Sequence, residues 1–218
     1  MIDMRWKINS YLVFTSFRYR IWVFGALPVL LTGLQFLQIG EWNVMRNIAT
    51  VMALIMIETV ADNWYLGGIQ DKDAEAIDYL KTSPKGMGVV RNALRFDLVR
   101  KVLAEAAVLG VSELAGRGGG EQHVPHGAAM WLLLTLICYT LSVTATLIAR
   151  FNSYLWINYL TGYIGMIIAL IFYFILCVWT AWEVLIVLTA VFLTLAVSIS
   201  FLTVRVAMKK VEGRYYDK

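Results

Sequence analysis

Two carboxylates one helical turn apart, Glu58 and Asp62, stand in an otherwise apolar run. Two more, Glu105 and Glu113, lie eight residues apart in a second run, just beyond the cations Arg100 and Lys101. Ionisable groups in such surroundings are costly, so they must face the interior of a bundle or a water-filled space and find partners. If the polar segment between the two runs folds them into a hairpin, Arg100 and Lys101 reach the depth of Asp62 and Glu58. The expected constellation is an ion pair of Asp62 with Arg100, with Glu58, Lys101 and Glu105 close by. Three uses suit such a group. It can anchor the loop between the runs as an ordinary buried pair. It can act as a gate that rearranges when energy is supplied. It can pass protons through the membrane.

Other chemistry has little to work with. The chain has no GxxxxGK[ST] to cradle a nucleotide phosphate, no HExxH and no GxSxG elbow. His123 and His126 flank Pro125, with Glu121 the one carboxylate close to them. That pattern reads as a solvated loop, and no metal site is expected. Cys138 and Cys177 both lie in apolar runs, where a thiol is inert packing and no disulfide framework arises. No catalytic residue is expected, so the chain is not expected to be an enzyme by itself, nor to bind a cofactor.

The composition says what must position these groups. Of 218 residues, 60% are hydrophobic and 16% charged, and the mean hydropathy is +0.68. A soluble domain carries about 25% charged residues. So much apolar surface belongs in a bilayer; disordered, collagen-like and disulfide-stapled folds are excluded. The expected fold is an all-α membrane protein with six transmembrane helices, formed by residues 1–218 as one domain. An interfacial helix occupies residues 1–20, where Ile8, Tyr11, Leu12 and Thr15 recur at helical spacing among Arg5, Lys7 and Arg18; the other reading is a frayed basic tail. No small-residue cleavage site follows the first apolar run, so an uncleaved span is expected and not a removable leader.

The spans are expected near 21–37, 47–65, 98–114, 128–148, 154–178 and 183–204. Between the second and third lies a cytoplasmic loop, 67–97, and between the third and fourth a Gly-rich extracellular loop, 115–127. Thr135, Cys138, Ser142 and Thr146 share one face of the fourth span, and Gly162 and Gly165 mark the fifth; both read as close helix packing. Phe172, Tyr173 and Phe174 either line a route for substrate or face lipid. Six spans of roughly 20 residues leave no room for a nucleotide-hydrolysing domain of about 100 residues or more.

Orientation follows from the cations. With both termini inside, seventeen of the nineteen Lys and Arg fall on the cytoplasmic side and only Arg46 and Arg117 outside. Most tryptophans, among them Trp22, Trp131, Trp156 and Trp182, fall near expected span ends, as interfacial belts require. The chain is thus expected in the plasma membrane as a multi-pass protein, with no nucleic-acid partner.

The loop carries the most specific signal. In DKDAEAIDYL, Ala74, Ile77 and Leu80 share one helical face, and Asp71, Glu75 and Asp78 another. Ser83-Pro84-Lys85-Gly86 breaks the pattern. Then MGVVRNALRFDLVRK resumes it, with Val90, Leu94 and Leu98 four apart. Two short amphipathic helices at the membrane surface result. They either carry force from a docked soluble partner into spans two and three, or merely cover that face.

The order of elements, with D-Y-L-K-T-S-P-K-G and R-F-D-L-V-R-K ending and following the loop, resembles the membrane (permease) subunit of a type-2 ABC exporter. Within that class it is similar to small Firmicutes-type permeases, including exporters of amphipathic peptide toxins, the phenol-soluble modulins. The resemblance covers the whole chain in topology and is residue-specific around 63–101. It implies a homodimer of this chain bound to two copies of a separate ABC ATPase subunit, which carries the ATP and Mg. It implies that Asp71, Glu75, Asp78, Tyr79, Leu80, Lys81, Thr82 and Ser83 couple to that ATPase, and that a hydrophobic or amphipathic substrate, such as a peptide, leaves the cell between two copies. The short outer loop departs from members with large extracellular domains. The alternative is an ion-coupled secondary transporter that uses Glu58, Asp62 and Glu105.

Overall fold

The computed structural model describes residues 12, 14–15, 17–35, 48–59, 61, 82–118, 127–149, 155–178 and 181–213. Among them the fold is all-α, with six helices. The first, α1, runs without a break from Phe17–Arg20 through a π-helical segment, Ile21–Ala26, into Leu27–Gln35. The others are α2 (Ile48–Thr59), α3 (Gly86–Gly118), α4 (Gly127–Ala149), α5 (Leu155–Val178) and α6 (Trp182–Gly213).

The π segment has a local cause. Proline lacks an N–H, and its ring crowds the carbonyl four residues back. Pro28 crowds the turn at Phe24, and the turn widens: the Leu27 N–H reaches back five residues to the Trp22 carbonyl. The chain enters α1 through a turn that Arg20 fixes. Its guanidinium donates to the carbonyls of Leu12 (2.7 Å) and Thr15 (3.2 Å) and to the Thr15 hydroxyl (2.9 Å). The helix therefore starts at Phe17, four residues before the expected span.

α4 is the centre of the bundle and packs on α3, α5 and α6. The main core joins Val51, Leu54 and Ile55 of α2 to Leu109 of α3, to Leu133, Leu134, Ile137 and Cys138 of α4, and to Ala169 and Tyr173 of α5. Three helices are long and apolar enough to cross a membrane: 128–148, 159–176 and 182–212. The first is 67% buried in the bundle, the others 28% and 17%. Their outer faces show Tyr163, Ile167, Phe174, Ile186, Val191, Val197 and Phe201. Apolar surface on that scale has to be covered by lipid or protein, as in a multi-pass membrane protein. Of the six expected spans, these three are met by length and composition. The described apolar stretches of α1 and α2, 21–33 and 48–59, are shorter, and α3 carries ionisable side chains in its middle.

α3 itself marks where the solvent changes. Up to Phe96 it reads like a surface helix, with Arg91 and Arg95 exposed and Val90, Ala93 and Leu94 buried. From Asp97 onward the pattern inverts. Asp97, Arg100, Lys101 and Glu105 are buried, while Val99, Val102 and Leu103 face outward. A helix with charges in and aliphatics out is amphipathic in the sense that lipid requires. α6 changes at the same depth: Phe201 and Leu202 are exposed, then Arg205, Lys209 and Lys210. The two helices meet there: Val90 and Leu94 share a cluster with Ala207 and Met208, Leu98 shares the next with Ala196, and Val204 packs against both.

Candidate functional site: a buried charge network

At the centre of the inverted stretch, α2, α3 and α4 pool their polar side chains. Glu58 sits on α2 and is 1% exposed. Arg100 grips it with both terminal nitrogens: Nη1 donates to Oε1 at 2.9 Å and Nη2 to Oε2 at 2.5 Å. This two-pronged pairing is the strong geometry for guanidinium and carboxylate. One turn earlier on α3, Asp97 accepts from the same guanidinium at 3.4 Å. The Lys101 Nζ lies 3.6 Å from Glu58 Oε2 and donates to the Thr146 hydroxyl of α4 at 2.8 Å. Thr146 in turn donates to the Ser142 carbonyl at 2.8 Å. Among the described residues two carboxylates, Glu58 and Asp97, thus meet two cations, Arg100 and Lys101.

Glu105, one turn beyond Lys101, is the remaining buried carboxyl. Its Oε1 lies 2.8 Å from the Ser142 hydroxyl. That hydroxyl also lies 3.1 Å from the Tyr139 carbonyl, and its single proton serves one of the two at a time. Glu105 Oε2 is buried with no hydrogen-bond partner. A second polar bridge ties α4 to α6. The Ser200 hydroxyl reaches its own helix at Ala196 O (2.6 Å), which leaves the Tyr139 hydroxyl as donor in the 2.6 Å contact between Tyr139 and Ser200.

The structure therefore brings Glu58, Arg100 and Lys101 together, with Glu105 one turn farther along α3. Asp62, the expected partner of Arg100, lies outside the described residues, and Glu58 takes both nitrogens. Asp71, Glu75, Asp78, Tyr79, Leu80 and Lys81 also lie outside them, as do Glu121, His123 and His126. Of the coupling group, Thr82 is exposed and Ser83 half-buried, and the Ser83 carbonyl accepts the Gly86 N–H at 3.0 Å in the turn that opens α3. Among the described residues no group of three His, Cys, Asp or Glu is placed to hold a metal.

Three side chains take part in the cluster in ways their spacing does not announce. Asp97, at the end of the expected polar loop, pairs with Arg100 three residues on, the spacing of a helical pair. Thr146 and Ser142 lie on the packing face of α4, and their hydroxyls also serve Lys101 and Glu105. Trp131, expected at an interface, is buried in the main core with its Nε1 unpartnered. The glycines of α5 do allow close approach. A Cβ on Gly162 would lie 2.9 Å from Met56 Sδ, and one on Gly165 would lie 3.3 Å from Ile55 Cγ2. Tyr173 is in the core, Phe172 meets Phe192 of α6 edge-on at 5.3 Å, and Phe174 faces outward.

Set against known protein families, curated proteins and solved structures, the chain matches none.

Proposed function

We propose that the chain is the transmembrane subunit of an ATP-driven exporter, powered by a separate ATPase. In this reading six spans cross the plasma membrane with both termini in the cytoplasm. The observation that carries it is the Arg100–Glu58 clamp. The segment 62–81 leaves α2 just after Glu58 and rejoins the chain just before α3. The clamp ties its α2 root to α3 at Arg100, about 20 Å along that helix from Gly86, at the depth where α3 turns from a water-facing into a lipid-facing helix. α3 is unbroken for 33 residues, about 50 Å at 1.5 Å per residue. A push on the loop by a docked ATPase would therefore move α2 and α3 as one body. The outward apolar faces of α1 and α5 suit a second copy of the chain, with a hydrophobic or amphipathic substrate such as a peptide passing between the two. Co-purification tests the reading: the intact chain should retain an ATPase, and deleting 71–80 should release it. A chain that carries substrate with no ATPase bound would refute it.

One observation favours a second reading, an ion-coupled carrier using Glu58, Asp62 and Glu105. The unpartnered Oε2 of Glu105 is a group able to take up a cation inside the bundle. A purified chain in vesicles that accumulates substrate under a pH gradient, without ATP, would establish it.

A further inference from the structure

A groove of about 700 Å³ runs between the first third of α3 and the last third of α6. Arg91 and Arg95 line it from α3, Arg205 and Lys209 from α6. All four are exposed, and among the described residues none has an ion-pair partner. Glu212, at the far end, is the one acidic residue lining it. The other end is different in kind: there the floor is Leu98, Val204 and Phe201. The two ends lie on either side of the depth at which α3 and α6 both change from charged to apolar exposure.

We propose that this groove binds an anionic phospholipid, with the phosphate headgroup among Arg91, Arg95, Arg205 and Lys209 and an acyl chain along Leu98 and Phe201. Among the described residues four cations without an ion pair share one concavity with a single carboxylate, and the resulting excess of positive charge attracts an anion. A free anion would use the cationic end alone. Only a ligand that is anionic at one end and apolar at the other matches a groove whose walls change character at the bilayer surface. Basic pockets between membrane helices recognise acidic headgroups in this way. Arg offers planar forks that fit phosphate oxygens. The inference rests on membrane embedding alone and holds whether or not an ATPase drives the protein.

The test is lipid retention by the purified full chain in micelles, counted by native mass spectrometry with phosphatidylglycerol and phosphatidylcholine of identical chains in competition. The wild-type chain should retain phosphatidylglycerol preferentially. Each of Arg91→Gln and Arg205→Gln should weaken that preference about fivefold, and the double variant about 25-fold, from the usual worth of a cation at an anionic headgroup. Glu212→Gln should strengthen it. Lys85→Gln with Lys210→Gln, exposed cations outside the groove, should leave it within about twofold. Three results would overturn the proposal: equal retention of the two lipids by the wild type, an equal loss from the Lys85 and Lys210 replacements, or displacement of the lipid by inorganic phosphate at matched concentration. The single variants preserve the measurement if the double variant does not fold.

Discussion

Arg100 on α3 closes on both carboxylate oxygens of Glu58 on α2, 42 residues earlier in the chain. The pair is buried, and Asp97 and Lys101 complete it. Removing one member strands the other in a dry interior, which typically costs 3–5 kcal/mol. Arg100→Met and Glu58→Leu should each lower thermal stability in detergent by about that amount. The double replacement should recover most of the loss. A double variant no more stable than the sum of the singles would show that the two side chains are not coupled.

Arg100→Lys is a sharper probe of the geometry. An ammonium keeps the charge but cannot span two oxygens. It should lose about 1–3 kcal/mol relative to wild type. It should also impair coupling in a transport assay more than it impairs ATPase retention, because the docking segment is untouched.

Thr146→Val deletes a hydroxyl that accepts from Lys101 at 2.8 Å and preserves the side chain's shape. A buried ammonium that loses an acceptor should destabilise the chain by about 1–3 kcal/mol. Thr144→Val removes a hydroxyl that bonds only the Thr140 carbonyl of its own helix at 2.7 Å, so it should change stability far less. Equal effects in the two melting curves would mean that Lys101 does not depend on α4.

Gly162 and Gly165 should resist enlargement to different degrees. Gly162→Ala meets the end of a flexible methionine, which can swing away, so its cost should stay under about 1 kcal/mol. Gly165→Leu must displace Ile55, a stiff side chain in the main core, and should cost about 1–3 kcal/mol. Thermal midpoints of the two variants order them.

Glu105→Gln separates the two functional readings. The amide keeps the contact with Ser142 and leaves no ionisable group. ATP-driven export should survive it within about twofold, and stability should change little, because an amide nitrogen takes the place of the idle carboxyl oxygen. An ion-coupled carrier would lose its pH-driven uptake altogether.

The long helices were legible in the sequence because each span is a nearly continuous apolar run, and the observed α4 and α5 match the expected limits within a residue or two. The start of α1 was not. α1 begins at Phe17 because Arg20 folds back on the carbonyls behind it, a contact no hydropathy pattern encodes. The helix expected to resume after the Ser83–Gly86 break and to lead into the third span does so as one unbroken α3, since nothing in its backbone requires a break where the solvent changes. The charge cluster was legible as a membership, Glu58 with Arg100 and Lys101, because depth follows from position in a hairpin. Its pairings depend on helix rotation, which spacing alone does not fix. That is why Glu58 and Asp97 take the guanidinium, and why two hydroxyls read as packing turn out to hold Lys101 and Glu105.

The wide turn before Pro28 also sets the phase of everything upstream. A π-helical turn accommodates an extra residue, and one residue of α-helix corresponds to about 100° of rotation. Tyr19, just ahead of that turn, is fully buried in a small cluster with Val23 and Ala61, beside Phe96. Deleting one residue from Ile21–Ala26 would restore ordinary winding and swing the phenol roughly a quarter-turn or more around the axis. The amino-terminal stretch would then lose its registration with the rest of the molecule, although every side chain in its seat remained the same.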